Sequence, residues 1–132
     1  MNMMTPVAEA LNRYLDLSSM ELKLTAQNMA NVDTPGYRTV GFDFAAEMAQ
    51  SLQRLGGGAK NGATEGPGAS EEMGLLRVNP VGGLLERPDG NDVSMDREGI
   101  KIAEAQLQFH TGAELLKHEF TRVMDAIHED QR

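Results

Sequence analysis

Apolar and small residues return on a seven-residue repeat at both ends of this chain and nowhere between. Near the start they fall at Ala8, Leu11, Leu15, Ser18, Leu22, Thr25, Met29 and Val32. That is a spacing of about 3.5 residues, which keeps one side of a helix turned toward a neighbouring helix. A second row, Ala10, Tyr14, Leu17 and Leu24, lies on another side of the same stretch. Thr5-Pro6 suits a helix start, with Thr as the capping residue and Pro at the first helical position. Toward the other end, Ser94 can cap a helix whose first turn carries Asp96 and Glu98. Its seam reads Met95, Gly99, Ile102, Gln106, Phe109, Ala113, Leu116, Phe120, Val123 and Ile127. The expected helix-packing residues are therefore Leu11, Leu15, Leu22, Met29, Ile102, Phe109, Leu116, Phe120, Val123 and Ile127. Gly99 and Gly112 lie inside the second helix, each at a cost of about 1 kcal/mol relative to Ala.

The segments between have a different character. Thr34-Pro35-Gly36-Tyr37 places Pro and Gly at the central positions of a type II turn. The run from Phe42 to Leu55 fits a short helix or an extended arm. Gly56 to Gly90 then holds ten of the fourteen glycines and three of the five prolines, with no sustained period. It reads as a flexible loop with room for a short strand or turn near Leu75 to Leu85. The predicted architecture is mainly α. An N-terminal helix (1–33) and a C-terminal helix (92–132) form an antiparallel coiled-coil-like pair. A Pro-Gly turn with a short arm (34–55) and the flexible Gly-rich loop (56–91) join them. Such a pair buries little apolar surface, so a marginal monomer is expected.

Composition removes several classes of function. The net charge of −8 argues against nucleic acid, whose phosphates need clustered Lys and Arg. With no Cys, there are no disulfides, thiolate metal sites or Cys nucleophiles. No stretch approaches the ~20 apolar residues of a membrane span, and the N-terminus lacks the pattern of a cleaved secretory signal. His110 and His118 stand two helical turns apart, too far to share one ion without other ligands, and His128 lies near the chain end. Gly56 to Thr64 lacks the Gly-Lys-Ser/Thr ending and the preceding strand of a phosphate-binding loop. No nucleophile–base constellation is present, so no enzyme activity, cofactor or metal is expected.

The most informative segment is Asn28-Met29-Ala30-Asn31-Val32-Asp33-Thr34-Pro35-Gly36-Tyr37. On chemistry alone it is a well-made helix terminus, with Asn31 and Asp33 able to bond exposed backbone. It also resembles the Ala-Asn-x-x-Thr-Pro-Gly-Tyr motif of the axial proteins of the bacterial flagellum, through Asn28, Ala30, Asn31, Thr34, Pro35, Gly36 and Tyr37. The stretch Gly90 to Glu98 leading into a long helix resembles a short proximal rod subunit of the basal-body rod family. The sibling proximal rod protein FlgC shares the motif but carries an Asn-rich run in its C-terminal helix that is absent here. Gly99, where the family tends to have a bulky apolar residue, and Phe109-His110, in place of a Tyr-containing pair, depart from the pattern.

The resemblance implies a structural subunit that leaves through the flagellar export apparatus without a cleaved signal and polymerises in the periplasm. Implied partners are copies of itself, other rod subunits, the adaptor FliE and the MS ring. Phe44 and Met48, four apart, resemble the Phe-x-x-x-apolar element by which early subunits engage the export gate; on residue pattern alone they also fit packing on the first helix or a neighbouring subunit. A helical adaptor outside the flagellum is the alternative from another class, and FlgC the alternative within the family.

Overall fold

The computed structural model describes residues 4–56 and 76–129. Three helices and one pair of very short strands follow in the order α1 (Pro6–Ala30), β1 (Val40–Gly41), α2 (Phe44–Gly56), β2 (Asn79–Pro80) and α3 (Met95–Glu129). The long helices α1 and α3 pack antiparallel, placing Thr5 beside Glu119 and Asn28 beside Glu98. The mainly α architecture with a paired N- and C-terminal helix is therefore as the periodicity predicts. At about 1.5 Å per residue, α3 outruns α1 by some 15 Å. Its last turns lie beyond the start of α1.

Both helix starts follow from their capping residues. Thr5 is extended (φ −67°, ψ 151°) and its hydroxyl accepts from the Ala8 amide at 3.1 Å. Ser94 reaches the Arg97 amide at 3.5 Å, a looser cap. α1 stops at the motif: Asn31 caps its end, and the Asn31 side chain donates back to the Gln27 carbonyl at 2.8 Å. Gly36 then takes φ +73° at the third turn position, the left-handed geometry that a type II turn requires. The run expected as a short helix or arm settles as a helix from Phe44 onward. α2 lies along the N-terminal half of α1, with Phe44 edge-on to Tyr14 (ring centroids 5.3 Å apart) and Arg13 donating to Ser51 at 3.1 Å.

β1 and β2 pair antiparallel, Val40 opposite Pro80 and Gly41 opposite Asn79. Residues 76–91 of the Gly-rich stretch are thus folded back onto the helix end. The glycine run from Gly57 onward lies outside the described residues.

The α3 side of the seam with α1 is built from small and polar side chains. On α3 the innermost positions are Glu98, Ala105, Gly112 and Glu119, each seven residues from the last, and all are buried. On α1 the buried residues are Ala8, Leu17, Ser18, Leu24, Thr25 and Asn28. A Cβ added at Gly112 would stand 2.9 Å from the Tyr14 ring and 3.0 Å from the Leu15 side chain, so glycine is what lets the helices come this close. Gly99, by contrast, has open space around it.

The larger apolar residues of α3 lie round the helix from this line. Ile102, Leu116 and Val123 are half-buried, while Phe109, Phe120 and Ile127 are 41%, 50% and 49% exposed. Leu11, Leu15, Leu22 and Met29 on α1 are half-buried.

Candidate functional site

Two regions stand out, a polar knot where α1 ends and α3 begins, and apolar surface at the opposite end. The knot starts with Asn28, only 1% exposed. Its Nδ2 donates to the Val40 carbonyl and to Glu98 Oε2, both at 2.9 Å. Its Oδ1 accepts from the Tyr37 hydroxyl and the Val40 amide, both at 3.1 Å. One side chain thus fills its whole hydrogen-bonding capacity, joining α1, the turn, β1 and α3. Glu98 is fully buried, and its second oxygen has no partner. Burial, reinforced by the Glu98 carboxylate and opposed by a hydrogen bond with Gln27, pushes the Tyr37 phenol above its ordinary pKa. Tyr37 accordingly remains a proton donor.

Around this centre the loop before α3 is bonded to the motif. Asn91, fully buried, donates to the carbonyls of Asn31 (2.9 Å) and Thr34 (2.8 Å). Its Oδ1 accepts from the Val93 amide at 2.8 Å. The Gly36 amide donates to the Asp89 carbonyl at 2.8 Å, bringing the Pro35-Gly36 turn and the Arg87-Pro88-Asp89-Gly90 turn tip to tip. Gly90 has φ +82°, and a Cβ there would sit 3.3 Å from Gly36 Cα. Both glycines are therefore required by backbone geometry. Arg87 also donates to the Val32 carbonyl.

Asp92 accepts from the Thr39 amide at 2.6 Å and faces Arg38 at 3.2 Å. Burial alone would raise its pKa; the Thr39 hydrogen bonds and Arg38 outweigh it and hold the carboxyl below its ordinary value. Of the motif, then, Asn28 is buried, Asn31 and Tyr37 are half-buried, and Ala30, Thr34, Pro35 and Gly36 are exposed. The Thr34 hydroxyl donates to Asn31 Oδ1 at 3.1 Å.

Sequence reasoning took in the motif and the Gly90 to Glu98 stretch but not that the two bond to each other. Asn91, Asp92 and Glu98 lie 53 to 70 residues away from Asn28, Asn31, Thr34 and Thr39, the groups they bond. Nothing in the spacing of α3 marks Glu98 as inward, because the line Glu98, Ala105, Gly112 and Glu119 carries no large apolar residue.

The opposite end is apolar and open. One groove of about 550 Å³ runs between α1 and α3, lined by Leu15, Leu116, Phe120 and Met124 among others. Another of about 410 Å³ lies between α1 and α2, lined by Val7, Leu11, Tyr14, Met48, Leu52 and Leu55 among others. Met48 therefore lies in a groove, while Phe44 is half-buried against Tyr14 and Phe42. His110, His118 and His128 are exposed. No metal-competent cluster of His, Cys, Asp or Glu occurs among the described residues. Among those residues no helix is long and apolar enough to cross a membrane.

A chain with a polar knot at its motif and open apolar flanks is what several curated proteins match along most of their length. The flagellar basal body rod protein FlgB of Cereibacter sphaeroides is 36% identical over 110 residues, covering 79% of this chain and 80% of that one. This chain belongs to the FlgB family. The FlgB proteins of Borrelia hermsii and Buchnera aphidicola are each 29% identical, over 93% and 83% of this chain and 96% and 85% of theirs. No family model matches the chain. The alternative of FlgC is not favoured by these matches.

Proposed function

We propose that this chain is a structural, non-enzymatic subunit of the flagellar basal-body rod, assembling through apolar faces that its own fold leaves open. The observation that carries this reading is the exposed apolar stripe Met95, Phe109, Phe120 and Ile127. It runs the length of α3 beside, rather than in, the α1 seam. An exposed stripe of that length is hidden only by another helix. Burial at about 25 cal/mol per Å² offsets the entropy of ordering subunits against one another. The relatives are named basal body rod proteins, which favours a neighbour within the rod over a single adaptor partner.

On this reading the neighbours are copies of the chain, other rod subunits, the adaptor FliE and the MS ring, with the rod in the periplasm. Export precedes assembly and uses no cleaved signal. Phe44 and Met48 serve the export gate only while α2 is detached, because in the folded chain Tyr14 and Phe42 cover Phe44. A chain delivered unfolded satisfies that condition. Phe44→Ala then lowers secretion without lowering synthesis, and unchanged secretion would remove the gate role.

The central test is Phe120→Asp. Purified basal bodies should lack the variant, while circular dichroism of the soluble chain stays at the parental helix content. Normal incorporation of Phe120→Asp would overturn the proposal.

A further inference from the structure

The α1–α3 seam has an unusual division of labour. Its middle holds Leu17, Ser18, Leu24 and Thr25 on one helix and Ala105 and Gly112 on the other, all buried, and Gly112 receives Tyr14 and Leu15. After a slide of seven in one sense Ala105, one methyl larger, takes the place of Gly112 against Tyr14 and Leu15. The middle therefore opposes a slide through steric fit at Gly112. The ends of the seam are different. Each carries one buried glutamate of α3, at the same heptad position and twenty-one residues apart, or about 31 Å. Glu98 accepts from Asn28 Nδ2 at 2.9 Å. Glu119 accepts from the Thr5 hydroxyl at 2.8 Å, while that hydroxyl caps α1, and it is also held by Arg122 at 2.8 Å.

We infer that Glu98 and Glu119, through Asn28 and Thr5, are the positioning residues that set the register of the helix pair and with it the reach of the α3 overhang. A slide of seven residues in one sense places Glu98 beside Glu21. There burial, ahead of an opposing attraction to Lys101 and a further repulsion from Glu104, already pushes the carboxyl pKa up. The same slide carries Glu119 past the start of α1. A slide in the other sense brings Ala105 under Asn28, leaving the amide without its acceptor, and pushes Glu119 toward Tyr14 and Leu15. Each alternative strands a buried charge or donor, and such groups are costly to leave unpaired. A polar residue in an apolar seam specifies register in coiled coils by this same logic. The register itself stands on these contacts alone. Its consequence for assembly, a displacement by about 10 Å of the Phe120 to Ile127 surface, rests on the rod reading.

Because the chain has no Cys, two introduced thiols carry spin labels without background. Lys23→Cys and His118→Cys are both exposed and stand roughly 20 Å apart along the axis, so a slide changes their separation directly. In the labelled soluble chain, electron–electron distance measurement should give one distance. Adding Glu98→Ala and Glu119→Ala should give a second population displaced by about 10 Å. Glu98→Gln with Glu119→Gln, which keeps the acceptor oxygens, should retain the single distance. An unchanged single distance in the double alanine chain would assign the register to the fit at Gly112 and the Asn91 and Asp92 contacts and overturn the inference. A slipped population in the glutamine pair would overturn it as well. Should the alanine chain lose its helical dichroism, Asn28→Leu with Glu98→Leu and Glu119→Leu removes donor and acceptors together and reads the same two outcomes. The measurement uses isolated chain, so a failed register and a failed rod assignment are separately visible.

Discussion

The two ends of this molecule are finished to different degrees. Where α1 ends, Asn28, Asn91, Asp92 and Glu98 are buried and bonded to one another's segments, and two glycine turns meet tip to tip. Where α3 ends, Phe120, Met124 and Ile127 stand half in solvent beside an open groove. Among the described residues the buried set holds five apolar side chains against eight polar ones, so the specific part of the fold is the polar part. Hydrogen bonds are directional and tell one arrangement from its neighbours, whereas apolar area is attractive in any orientation. The knot therefore defines the subunit, and the open end waits for others.

Substitutions at the two ends should separate these roles sharply. Asn28→Ala strands Glu98, the Tyr37 hydroxyl and the Val40 amide and carbonyl together. A loss of about 3 kcal/mol or more is expected in urea unfolding followed by helix dichroism. A loss under 1 kcal/mol would mean that the knot is not what holds the pair. Gly112→Ala pushes into Tyr14 and Leu15, and overpacking should outweigh the gain in helix propensity, leaving the chain about 1 kcal/mol less stable. Gly99→Ala meets open space and should stabilise by about 0.5–1 kcal/mol in the same assay. If both alanines act in the same direction, the close approach at Gly112 has no energetic consequence.

Acid should act on the knot through Asp92. The Asp92 pKa is lowered in the folded chain, so its contribution is complete above the ordinary carboxylate pKa, about 4. That contribution is lost as pH falls through the lowered folded value. Hydrogen exchange at the Thr39 amide should accelerate over that interval, and Asp92→Asn should abolish the dependence. Phe120→Asp, at the open end, should change the stability of the isolated chain by less than about 0.5 kcal/mol, for all its effect on incorporation. A large loss there would erase the contrast between the ends.

Several features were legible from local chemistry. Thr5 with Pro6, Ser94 ahead of Asp96 and Glu98, and Pro35-Gly36 each act within a few residues, so their capping and turn roles follow from neighbours in sequence. The strand near Leu75 to Leu85 was visible only as a possibility, because Asn79–Pro80 is a strand solely by virtue of pairing with Val40–Gly41. α2 was undecided until Tyr14 and Arg13 gave it a surface.

What the residues by themselves determined is that two long helices exist, where they start and turn, and that they carry more apolar surface than one partner can cover. Periodicity is a property of a single helix, so it survives in the sequence. Which side of α3 faces inward was decided only by tertiary structure. The conspicuous stripe through Phe109 and Phe120 flanks the seam, and the inconspicuous line of Glu98, Ala105, Gly112 and Glu119 occupies it. Helix contact is set by how closely two backbones approach and by which distant donors meet a buried carboxylate, and neither quantity is written in the spacing of one helix.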